Sequence, residues 1–143
     1  MPNELLRRAA ASAAPISLRL EKHAGADALL LSGELDMDTV PLIDRFLRRR
    51  LGPFFHRRNL VLDLAGVTLV DSSFVTYVIR LSEAVHRAGF ELLLTRPVGH
   101  VRRAIRVVGL ANVLPVYESL EEAVALAAAG RVPMIPPPFA SSS

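Results

Sequence analysis

The chain has no cysteine among its 143 residues. That absence excludes a disulfide framework and any thiolate metal site. Lysine is nearly absent as well: Lys22 is the only one, beside sixteen arginines. Schiff-base chemistry and a phosphate-gripping lysine are thereby excluded everywhere except at Lys22. Long apolar runs are missing too. Stretches such as Ala28–Leu31 and Leu92–Leu94 fall far short of the ~20 residues that a membrane span needs. The Ala-rich stretch around Ala9, Ser12 and Pro15 lacks the Leu/Val/Phe region of a secretory signal. These absences predict a soluble, cytoplasmic protein. Aromatics are only 6% and the formal net charge is only +3. A nucleic-acid binder wants a large positive excess with interleaved aromatics, so nucleic acid is not an expected partner. Arg in place of Lys, with abundant Ala and Leu, points to a GC-rich bacterial genome.

What is present is about one domain's worth of chain, 51% hydrophobic. Residues 1–14 are small, polar or basic and read as a flexible N-terminal segment. Residues 133–143 read PMIPPPFASSS, so 131–143 reads as a flexible Pro/Ser-rich tail. Residues 15–130 form the predicted domain, without internal repeat.

Within it, short apolar runs alternate with amphipathic stretches. Ile16–Leu20 alternates with period two, as a half-buried strand does. Ala28–Leu31 reads as its hairpin partner across His23–Asp27. Gly33–Asp36 follows as a loop or strand end. A helix is predicted over Thr39–Leu51, with Val40, Ile43, Phe46 and Leu47 inward and Arg45, Arg48 and Arg49 outward. Gly52–Pro53 stops it. Leu60–Leu64 is a nearly continuous apolar run, the pattern of a strand buried on both faces. Ala65–Val70 reads as a loop leading to Asp71. A second helix runs to about Ala88. Phe74, Val78, Leu81, Ser82 and Val85 share its inner arc, and Thr76, Arg80, Glu83 and Arg87 its outer one. Glu91–Leu94 is the next strand. A third helix has Val98, Val101, Ile105 and Val108 facing in, closed by Gly109–Leu110. Val113–Tyr117 is a fifth strand. Ser119–Glu122 is a capping box opening a last helix to about Ala129. The order ββαβαβαβα predicts an α/β fold: a mixed, mainly parallel sheet of about five strands packed with about four helices.

The segment with most chemical content is Leu60–Arg80. It carries Asp71, Ser72 and Ser73 to a helix start, where backbone N–H groups lack partners and the dipole is positive. A hydroxyl there is open to modification. One of the three residues is also needed simply to cap the helix. Asp63, inside an apolar strand, requires a partner and is expected to pair with neighbouring backbone. Asp36 either caps the turn into the first helix or touches a partner. His23, His56, His86 and His100 show no metal spacing, so no metal or other cofactor is expected. Receiver-type phospho-aspartate chemistry lacks its acid cluster and its lysine. A serine hydrolase lacks its elbow motif. The reading is of a protein that is not an enzyme. The clusters Arg48–Arg50, Arg57–Arg58 and Arg102–Arg106 read as solvated helix faces, or as the footprint of an acidic partner.

GELD at Gly33–Asp36, LVLDL at Leu60–Leu64, Val67 and Asp71–Ser72–Ser73 resemble the STAS domain of anti-sigma factor antagonists. Val101–Arg103, Ile105 and Gly109–Leu110 continue the likeness, which covers roughly residues 15–129. The resemblance implies a STAS fold without catalysis. It implies that the unphosphorylated chain binds an anti-sigma factor, often a serine kinase, and so releases a sigma factor to activate transcription. It implies phosphorylation of the serine after the motif aspartate, here Ser72 with Ser73 as the alternative, reversed by a phosphatase. Asp36, Asp71, Ser72, Ser73, Thr76 and Arg80 are the expected partner-binding residues, Thr76 and Arg80 from their place on the solvent face of the helix. The family commonly continues D-S-S-G-L-G, whereas this chain has Phe74–Val75–Thr76. Phe74 is expected in the core and Thr76 in solvent. That departure leaves a second reading: a phosphorylation-independent adaptor for a protein, a nucleotide or a lipid-transport complex.

Overall fold

The structure, a computed structural model, describes residues 16–130. The expectations for residues 1–14 and 131–143 lie outside the described residues. Strands β1 (Ser17–His23) and β2 (Ala26–Leu35) form a hairpin. Helix α1 (Val40–Leu51) leads to β3 (Leu60–Val70), and α2 (Ser72–Arg87) leads to β4 (Leu92–Thr95). Helix α3 (Gly99–Val107), a 3-10 turn (Leu110–Asn112), β5 (Val116–Tyr117) and α4 (Leu120–Ala128) complete the domain. The five strands lie in the order β1-β2-β3-β4-β5. Only β1–β2 is antiparallel; the other three pairs are parallel. The mixed, mostly parallel sheet with four helices is the expected architecture.

Side chains alternate across a strand, so each buried strand feeds two cores. Leu29, Leu31, Leu60, Leu62, Leu64, Leu92 and Leu94 face α1, α2 and α3. Ala26, Ala28, Val61 and Leu93 face α4 through Leu120, Ala123 and Ala127. The first core is built of leucines, the second largely of alanines. Small residues let α4 lie close on the sheet.

Several expectations need correction. Ala65–Val70 is not a loop; it continues β3 to eleven residues. Strand β2 likewise runs on through Gly33–Leu35, and its longer edge gives residues 66–70 backbone partners. The pairing survives two register shifts, between Leu30 and Ser32 and between Gly33 and Glu34. Gly66 makes that passage possible: a Cβ there would stand 2.6 Å from the Ser32 Cβ. Val98 and Val108 do not face in. They cap the two ends of α3 and are 49% and 54% exposed, while Val101 and Ile105 are buried. Strand β5 is only Val116–Tyr117. Val113 and Leu114 are not in it, because their N–H groups turn back to the Leu110 carbonyl at 2.9 and 3.2 Å; Gly109 takes the left-handed conformation at φ +76 and Leu110 folds into the core, as expected. Ser119 caps α4 as expected, accepting from the Glu122 N–H at 3.1 Å.

Asp63 is buried, but its partners are side chains, not backbone. The Thr95 hydroxyl donates to it at 2.7 Å. Arg96 donates through Nε at 2.8 Å and Nη2 at 2.9 Å. Arg96 holds φ +54, rare for a residue other than glycine. The bidentate contact is what such backbone strain would accompany.

Candidate functional site

Parallel strands deliver their carboxyl ends to one pole of the sheet. Leu35 of β2 stands beside Val70 of β3 there. The Asp71 N–H donates to the Leu35 carbonyl at 3.1 Å, tying the two strand ends together. The turns that leave these ends begin at Asp36 and Asp71.

The Asp36 turn is closed by its own side chains. Asp36 Oδ1 accepts from the N–H groups of Asp38 at 3.0 Å and Thr39 at 3.1 Å. The buried Thr39 hydroxyl donates to the Glu34 carbonyl at 2.6 Å. Of the two roles expected for Asp36, the structure shows the capping one. Met37, at the tip of this turn, is 71% exposed.

Asp71 is the N-cap of α2. Its backbone is extended, and Oδ1 accepts from the Ser73 N–H at 2.8 Å and the Phe74 N–H at 3.4 Å. Of the three residues that could cap this helix, the aspartate does so. The Ser72 hydroxyl is thus not required to end the helix, and Ser72 is exposed. Ser73 is half-buried. Phe74 is fully buried, as expected, and roots the first turn in the leucine core. Thr76 and Arg80 are exposed. Ser72, Thr76 and Arg80 recur every four residues and so form one stripe along α2. The predicted residues Asp36, Asp71, Ser72 and Ser73 thus share one pole, and Thr76 and Arg80 lead away from it. Glu34, Asp36, Asp38 and Asp71 lie on or beside the two turns at that pole.

A groove of about 530 Å³ between α1 and α2 adjoins the stripe, with Arg80 in its lining. Its polar floor is a set the sequence reading missed. The Tyr77 hydroxyl donates to Asp44 Oδ1 at 3.1 Å, and Arg48 Nε donates to Asp44 Oδ2 at 2.7 Å. Burial, and then the Asp44 charge, hold the Tyr77 phenol well above its ordinary pKa. The hydrogen bond to Asp44 holds Arg48 more firmly protonated. Asp44 and Arg48 are an i, i+4 pair visible in the sequence. Tyr77 lies 33 residues from Asp44, and only the tertiary fold joins them.

Among the described residues no cluster of three His, Asp or Glu is placed to hold a metal, and no helix is long and apolar enough to cross a membrane.

Comparison with known proteins places this geometry. A family model described as STAS domain matches residues 17–123. The anti-sigma F factor antagonist of Paenibacillus polymyxa is 25% identical over 107 residues, spanning 73% of this chain and 88% of that protein. The crystal structure of an anti-sigma factor antagonist from Mycobacterium paratuberculosis superposes with a TM-score of 0.68 at 24% identity, over 79% of this chain and 94% of that one. The Bacillus cell fate determinant SpoIIAA, solved in its phosphorylated form, gives a TM-score of 0.57 at 20% identity, over 76% and 97%. With a family model that covers residues 17–123 of its 143, the chain belongs to the STAS domain family.

Proposed function

We propose that this protein is an anti-sigma factor antagonist switched at Ser72. The unphosphorylated chain binds an anti-sigma factor and displaces a sigma factor, which then activates transcription. The same partner, acting as a serine kinase, ends the signal. The γ-phosphoryl group of ATP passes to Ser72 Oγ, the hydroxyl proton goes to the kinase's base, and ADP leaves. A phosphatase restores the hydroxyl. The chain itself does no catalysis and works in the bacterial cytoplasm.

The observation that carries this reading is the division of labour at the start of α2. Asp71 caps the helix, so an exposed Ser72 hydroxyl can gain and lose a phosphate without unmaking the fold. A phosphate adds a charge of about −1.5 to −2. It would arrive beside Asp71, at the pole that also holds the Asp36 turn. A partner face docked there would meet a desolvated charge with no counter-ion, which costs several kcal/mol. Thr76 and Arg80, further along the stripe, fit as additional contacts. Similarity to an anti-sigma F factor antagonist supports the same reading.

Incubation with the anti-sigma kinase encoded beside its gene, with ATP, tests it. Phosphate is expected on Ser72 alone, and none on Ser72→Ala. Phosphate on another residue overturns the switch. Exposed Thr76, where the family commonly has glycine, favours the adaptor reading; in that case Ser72→Ala and Ser72→Asp both bind as the unmodified chain does, whereas Thr76→Glu or Arg80→Glu weakens binding.

A further inference from the structure

The pole opposite Ser72 carries a second surface, which the sigma-regulatory reading leaves unused. Helix α1 returns against the strand direction, so its last turn and the loop 52–59 lie where β3 begins. At ~3.3 Å per residue, the eleven residues of β3 put roughly 35 Å between that end and Ser72. Six of the sixteen arginines fall between positions 45 and 58. Two of them are ion-paired: Arg48 with Asp44 and Arg58 with Asp27, both at 2.7 Å. Arg45, Arg49, Arg50 and Arg57 have no ion-pair partner among the described residues. Arg45 and Arg49 share one helix face, and Arg50 turns 100° away, so the charges wrap the end of the helix.

An apolar side chain stands on the loop that follows. Phe54 is 57% exposed, whereas its neighbour Phe55 is 3% exposed. The Arg57 guanidinium lies 4.5 Å from the centre of the Phe54 ring, and His56 meets its edge. The loop beneath is firmly rooted. Asn59 donates to the carbonyls of Gly25 at 2.9 Å and Ala127 at 3.2 Å, and accepts from the Glu91 N–H at 2.9 Å. The helix dipole accounts for arginines in the last turn of α1. It accounts for neither Arg57 nor an exposed phenylalanine held out on a fixed loop.

We propose that this basic pole is a peripheral docking site for an anionic lipid bilayer. Phe54 enters the headgroup region, and Arg49, Arg50 and Arg57 contact lipid phosphates. An exposed aromatic ring with a guanidinium stacked on it, directly after a basic helix end, fits a plane of anionic headgroups. Nucleic acid would want a large positive excess with interleaved aromatics, whereas the net charge is only +3 and aromatics are 6%. Docked in this way, the chain turns Ser72 toward the aqueous side, where a soluble partner reaches it.

Vesicle co-sedimentation of the full chain tests this. Vesicles of phosphatidylcholine with 30% phosphatidylglycerol are expected to pellet it at ~50 mM salt and to release it at ~500 mM. Phosphatidylcholine alone is expected not to pellet it. Losing one arginine is expected to weaken partitioning roughly five-fold, so Arg49→Glu/Arg50→Glu/Arg57→Glu should lose at least a hundred-fold. Phe54→Ser, at an exposed position, should weaken binding while leaving the thermal midpoint in place. No pelleting with the anionic vesicles, pelleting that the triple substitution leaves intact, or displacement from vesicles by an equal mass of single-stranded DNA overturns the proposal. The triple variant should bind the anti-sigma factor normally, so this site and the Ser72 site stand or fall separately.

Discussion

Replacing Gly66 by alanine puts a methyl group where β2 and β3 leave no room. The new Cβ would stand 2.6 Å from the Ser32 Cβ and 3.3 Å from both the Leu31 carbonyl oxygen and the Ser32 Cα. Carbon atoms settle at about 3.5–4.0 Å, so the strands must part locally by roughly 1 Å. None of these contacts is the free end of a long side chain, and none can swing away. Overpacking of this kind costs about 1–3 kcal/mol. With a urea slope of about 1–3 kcal/mol per molar, the midpoint should fall by roughly 1 M. Ser32→Gly removes the opposing Cβ and by itself should cost about 0.5–1 kcal/mol. Combined with Gly66→Ala it relieves the clash. The double variant should therefore be about 1–2 kcal/mol more stable than the sum of the single effects predicts. Urea unfolding of the four proteins measures this directly. Strict additivity, or a neutral Gly66→Ala, would refute the claim that close approach at Gly66 lets β3 run on to Asp71.

Other consequences follow from the same geometry. Asp71→Ala removes the cap of α2 and should cost about 1 kcal/mol, whereas Ser72→Ala should leave the thermal midpoint unchanged; a reversed order would mean that Ser72 holds the helix. Arg96→Ala strands the Asp63 carboxylate, whose side chain is 3% exposed, and should cost about 3 kcal/mol. Asp63→Ala should cost less, because Arg96, at 40% side-chain exposure, can turn to water; equal losses in urea titrations would contradict this asymmetry. Tyr77 holds its proton more tightly folded than unfolded. Its contribution is therefore complete below the ordinary phenol pKa of about 10 and is lost as pH rises beyond it. Tyr77→Phe should flatten the alkaline decline in stability, and an unchanged slope would show that Tyr77 does not cause it.

How far the sequence could be read depended on the range of the interaction. Helix α2 was legible from Phe74, Val78, Leu81 and Val85 at helical spacing, and its end from Gly89, because both signals are local. The pole itself was legible because Asp71 precedes the helix directly and GELD ends β2. Strand β3 beyond Ala65 was not. Val67 is buried while Thr68 and Leu69 are exposed, a pattern without strict alternation, and its pairing depends on register shifts against β2. The same limit hid the partners of Asp63, since Thr95 and Arg96 lie on a different strand end, and it hid Tyr77 over Asp44. Val98 and Val108 misled for the opposite reason: their spacing matches a helix that stops one residue inside each of them.

In the proposed switch, a phosphate on Ser72 decides whether the partner stays bound. Calorimetric titration of the anti-sigma factor with two homogeneous preparations, unmodified and phosphorylated at Ser72, measures this. Tight binding is expected for the first and at least about hundred-fold weaker binding for the second, the equivalent of several kcal/mol from one unpaired charge. Equal affinities for the two forms would contradict it.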